Sequence, residues 1–118
     1  IYLKRRDGVT SGAFKNYVSR DLASSLATIE GITEVRSQVY MPWFKGSWNT
    51  PNVAHDNPKK DQLQASIIIG FANEAARQAF YDQQAPALNH DLSTYSATVY
   101  AYRMDKTLTF VENGQKIR

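Results

Sequence analysis

The chain has 118 residues, a length for one domain, and its 14 basic against 11 acidic residues leave a formal charge of +3. With 42% hydrophobic and 21% charged residues it is a globular and not a disordered chain. No apolar run approaches the ~20 residues of a membrane-spanning helix, and with no cysteine there is no disulfide framework, thiolate metal site or cysteine nucleophile. The composition reads as that of a cytoplasmic protein, with no signal peptide at its start. Ile1 already reads as strand, so the chain is expected to continue upstream of it.

In chain order, Ile1 to Arg5 is a short apolar-then-basic strand closed by the turn residues Asp7-Gly8. Ser11 is placed to cap a helix. Phe14, Val18, Leu22, Leu26 and Ile29 then recur at spacings of four, four, four and three, the stripe of a helix with one buried face. Gly31 is its expected terminator. Ile32 to Met41 changes period: Val35, Val39 and Met41 alternate with Glu34, Arg36, Gln38 and Tyr40, which predicts a strand with two unlike faces. Pro42 stops it.

Trp43 to Gln62 has no periodicity, and a loop near 20 residues in a compact domain is usually functional or disordered. Leu63 to Phe71 is again a strand. Asn73 is the cap of a second helix, Glu74 to Gln84, and Pro86 suits the first turn of a short one after it. Tyr95 to Arg103 is a fourth strand and Lys106 to Val111 a fifth. Asn113-Gly114 predicts a tight turn that folds Gln115 to Arg118 back as a hairpin arm.

The order β-α-β-β-α-β, then an extra strand, is that of a single α+β domain over 1–118: a ferredoxin-like antiparallel sheet with two main helices on one face. The face expected against the helices carries Leu3, Val35, Val39, Met41, Ala65, Ile67, Ile69 and Phe71, with Ala97, Val99 and Ala101 from the fourth strand. The other face collects Tyr2, Lys4, Arg36, Gln38, Tyr40, Ser66, Ser96, Tyr100 and Tyr102. Tyrosines have high strand propensity and stack across strands, which accounts for each singly. As a group they predict a covered face, since a phenol buries much area and keeps a hydroxyl for hydrogen bonding.

One cover is a second copy of the chain, sheet against sheet; the other is single-stranded nucleic acid. RNA-recognition sheets stack bases on third-strand aromatics, and here that strand presents Gln64, Ser66, Ile68 and Gly70. The only dense basic run, Lys4-Arg5-Arg6, reads as a solvated strand end. Nucleic acid is therefore the weaker reading.

The segment Phe14-x-x-Tyr17-Val18, its aliphatic helix and Val35-x-x-x-Val39-Tyr40 resemble the opening of EthD-like proteins. Phe80-Tyr81, Ala87 to Tyr95 with His90-Asp91, and the strand Ala97 to Arg103 resemble their second half. These are dimeric α/β-barrel proteins, a group that also includes antibiotic-biosynthesis monooxygenase-like and stress-responsive barrels. The resemblance implies a homodimer with two sheets face to face and a pocket in each protomer, which in some relatives takes aromatic or polyketide-like molecules. The histidine that relatives often carry eight residues after the phenylalanine is Leu22 here.

His55 and His90 are each followed by aspartate, which can orient a histidine, but the first reads as an ordinary loop residue and the second as a surface one. Nothing in their spacing supports a metal site, and no cofactor is expected. Trp43, Phe44 and Trp48 are costly to leave in water. They either anchor the loop or form a lid over an apolar pocket. The expected ligand-binding set is Arg36, Gln38, Tyr40, Trp43, Trp48, His55, Tyr100 and Tyr102, with Arg36 for an anionic or carbonyl oxygen and the phenols as donors. The expected function is binding of a small organic molecule in a homodimeric barrel, with cofactor-independent acid–base or oxygen chemistry if it is an enzyme. The alternative is a non-catalytic dimerisation or binding module.

Overall fold

The computed structural model describes residues 1–41, 50–54 and 58–118. Strands β1 (Tyr2–Arg5), β2 (Ile32–Val39), β3 (Ala65–Phe71) and β4 (Ser96–Tyr100) form one antiparallel sheet in the order β2-β3-β1-β4. Helix α1 (residues 11–27) joins β1 to β2, and helix α2 (residues 74–95) joins β3 to β4. This is an α+β domain with the strand order of a ferredoxin-like fold. Among the described residues, no helix is long and apolar enough to cross a membrane.

Each helix is wound in three parts. In α1, α-helical Ser11–Asn16 and Ala23–Ala27 flank a π-helical Tyr17–Leu22. The reason lies in the four-residue spacing of its apolar stripe. On a pure α-helix each such step rotates the stripe by ~40°. The looser i→i+5 turns of a π segment wind more slowly and turn it back. Phe14, Val18, Leu22 and Leu26 therefore all stay on the buried side. The π winding also leaves the Val18 carbonyl accessible, and Ser37 Oγ on β2 donates to it at 3.2 Å.

The N-cap of α1 is Thr10, not Ser11: its Oγ1 accepts from the Ala13 amide at 3.1 Å, and Ser11 is the first helical residue. Asn73 caps α2 as expected, accepting from the Ala76 amide at 2.8 Å. There is no break at Pro86. The α2 run continues through π-helical Phe80–Gln84 into Ala85–Tyr95, and Pro86, which has no amide to donate, lies beside the change of winding.

The core sits between the middle of the sheet and the two helices. Leu3, Ala65 and Ile67 from β1 and β3 share it with Phe14, Val18, Leu22 and Leu26 of α1, and Phe80 closes it from α2, ring to ring with Phe71 at 5.4 Å. Tyr17 of α1 and Tyr95 of α2 stack at 4.3 Å. The helix-side face is covered only at its centre. Met41 and Val99 are exposed, as are Ala97 and Ala101. Helix α1 lies on β2, and α2 packs on β3 and β4.

The basic run Lys4-Arg5-Arg6 is turned onto the protein's own backbone. The Arg6 guanidinium donates to the carbonyls of Ser93 and Ser96 at 2.8 and 3.2 Å, clamping the end of α2 to β4. Arg5 donates to Val9 O and Lys4 to Lys60 O. At the C-terminus the turn at Asn113-Gly114 is formed, with φ of 50° and 78°. It joins β5 (Val111–Glu112) to β6 (Gln115–Lys116) as a separate two-stranded ladder. Residues 106–109, expected as strand, have no ladder partner.

Candidate functional site

The register builds the open face from rows. Gln38 pairs with Ser66, Ser66 with Tyr2, and Tyr2 with Tyr100, so one row crosses all four strands on the side away from the helices. Leu3, one residue on, pairs with Ala65 and Val99 on the helix side. Within the open row, Tyr40 donates its hydroxyl to Ser66 Oγ at 2.6 Å, and Ser66 Oγ donates to Gln38 Oε1 at 2.7 Å. Such a chain polarises along its length and holds the phenol in one orientation. Ser96 leaves the face: a bulge between Lys4 and Arg5 sets it opposite Arg5, and it is buried, its Oγ without a partner among the described residues.

A cavity of about 550 Å³ lies at the edge of this face and reaches round to α2: Tyr2, Gln38 and Tyr40 line it from the open side and Phe71, Arg77 and Tyr81 from the helix side. It lies beside the stretch of β3 that β1 does not pair. Ile68 to Phe71 have β2 on one edge and the cavity on the other. Tyr102 to Met104 form the opposite wall, and Tyr102 meets Tyr2 edge to face at 5.7 Å.

One end of the cavity is ionic. Glu74, in the first turn of α2, accepts from Arg77 at 3.1 Å and from Arg103 at 2.9 Å. One carboxylate between two guanidiniums leaves a surplus positive charge at that end. Arg77 also lies over the Tyr81 ring at 5.0 Å, a cation–π contact that fixes both side chains against the wall. The arrangement offers aromatic surface, an oriented hydroxyl and two donors for an anionic or carbonyl oxygen.

Of the residues expected from sequence to bind ligand, Gln38, Tyr40 and Tyr102 line this cavity. Tyr100 shares the Tyr2 row but lies outside it, and Arg36 is exposed and paired with Glu34 at 2.5 Å. Trp43, Trp48 and His55 lie outside the described residues. His90 is exposed on α2, its carbonyl accepting from Ser93 and Thr94. Sequence reasoning missed Glu74, Arg77, Tyr81 and Arg103. The i,i+3 spacing of Glu74 and Arg77 was a readable signal, but nothing in the sequence brings Arg103 to them. No protein-family model matches the chain, and neither a curated protein nor a solved structure matches it.

Proposed function

We propose that this is a cytoplasmic homodimeric protein of the EthD-like, dimeric α/β-barrel kind that binds a small organic molecule on its open sheet face. The ligand is a planar aromatic or polyketide-like compound with an acidic or carbonyl oxygen. Its ring lies among Tyr2, Tyr40, Tyr81 and Tyr102, and its oxygen meets Arg77 and Arg103. The observation that carries this reading is the cavity itself: about 550 Å³, tyrosine-walled and positively biased at one end. That volume is in the range of small-molecule sites. A second copy laid on the same face would close the cavity from the open side.

The test is binding. Naphthoic acid and 1,8-dihydroxyanthraquinone, titrated against the protein by calorimetry, are expected to bind one per protomer. Arg103→Gln is expected to weaken the acid at least tenfold and the uncharged ring less. Absence of binding by either probe at millimolar concentration contradicts the reading. In that case the non-catalytic dimerisation module is favoured, with Tyr2 and Tyr102 already in ring contact as its packing.

A further inference from the structure

We propose that the C-terminal arm, residues 105–118, is an exchange arm that packs on a second copy of this chain; the inference rests on the homodimer reading above and adds what holds the two copies together. Every residue from 101 to 118 is exposed. Leu108, Phe110, Val111 and Ile117 are among them, all at least 45% exposed. Apolar side chains in that concentration are a binding surface or an aggregation hazard.

The arm's apolar side chains stand in solvent on their own subunit. Among the described residues, its hydrogen bonds beyond Arg103 stay within the segment: Ile117 to Phe110 at 2.7 Å, Arg118 to Thr109 at 2.9 Å, Thr107 to Met104, and the β5–β6 ladder. Thr107-Leu108-Thr109-Phe110 has the alternation and residue types of a strand, yet among the described residues it pairs with no strand.

The whole-chain dimensions point to a second copy as the occupant. The radius of gyration is 16.2 Å, against about 13.5 Å for a compact domain of this length. The chain exposes 9065 Å², where a compact monomer of its mass exposes about 6,500 Å². The excess, about 2,600 Å² per chain, is the area each partner gives up in a large obligate homodimer. A twofold pair also settles both halves of the problem at once: each copy donates an arm and receives one, and the exposed Tyr2 and Tyr100 of the open face are covered in the same act.

Sedimentation equilibrium of the full chain and of a chain ending at Asp105 decides it. The full chain is expected to be a dimer at micromolar concentration, and the shortened chain, with its far-ultraviolet circular dichroism retained, to dissociate at least 100-fold more readily. A full-length Leu108→Asp, Phe110→Asp double variant gives the same loss and replaces the truncation should that chain not fold. Unchanged dimer strength in the shortened chain, or in the double variant, overturns the arm and leaves the homodimer standing. A full chain that is monomeric at every concentration overturns both.

Discussion

Tyr17 is where burial and chemistry are most at odds. It is 3% exposed, its ring is stacked on Tyr95, and among the described residues its hydroxyl has no hydrogen-bond partner. A buried donor left unpaired costs about 1–3 kcal/mol, so Tyr17→Phe is expected to leave stability unchanged or raise it by about 1 kcal/mol, read from the urea midpoint. Burial raises the Tyr17 pKa above its ordinary value, with Asp91, Tyr95 and Asp21 adding to the effect. The phenol therefore stays protonated in the fold where it would ionise in the unfolded chain. Its contribution is whole below the ordinary value of 10.0 and is lost as pH rises past it. Between pH 10 and 12 the wild type is expected to lose more stability than Tyr17→Phe; equal losses assign the alkaline transition to other groups. On the open face, Ser66→Ala removes the link between Tyr40 and Gln38. It is expected to cost about 1 kcal/mol and to weaken ligand binding several-fold by releasing the Tyr40 ring; unchanged binding takes Tyr40 out of the site.

Between elements, two small features hold the layers in register. Gly31 has φ +88° and meets α2 so closely that an added Cβ would stand 2.8 Å from that of Ala76. Gly31→Ala thus combines a left-handed backbone, costing about 1–2 kcal/mol, with a clash. It is expected to destabilise by more than the backbone term alone in urea unfolding; a neutral effect removes the close approach from the account. Arg6 clamps Ser93 and Ser96, and Arg6→Ala is expected to cost about 1.5 kcal/mol and to fray the junction of α2 and β4, seen as faster amide exchange there. The elements themselves were legible because their signals are local: four-residue stripes for the helices, alternation in β2, the Asn73 cap, the Asn113-Gly114 turn. The π segments were not, since a four-residue stripe is compatible with either winding until packing selects one. The role of Arg6 was hidden for a related reason: a basic run at a strand end looks the same whether it meets water or a carbonyl 87 residues further on.

At the scale of the molecule, the open face was foreseeable from strand alternation, because the register confirms one row through Gln38, Ser66, Tyr2 and Tyr100. The cavity was legible only in part. Tyr40 and Gln38 announce themselves by alternation, whereas Arg103 reaches Glu74 only once β4 and α2 are folded together. The account as a whole turns on that face being covered. Hydroxyl-radical footprinting, read tyrosine by tyrosine at micromolar protein concentration, tests this most directly. Tyr2, Tyr100 and Tyr102 are 40, 51 and 70% exposed in a single chain. They are expected to be oxidised at least tenfold more slowly than in the urea-unfolded protein, approaching the protection of buried Tyr17. Oxidation of all three near the unfolded rate, with Tyr17 protected, contradicts the account.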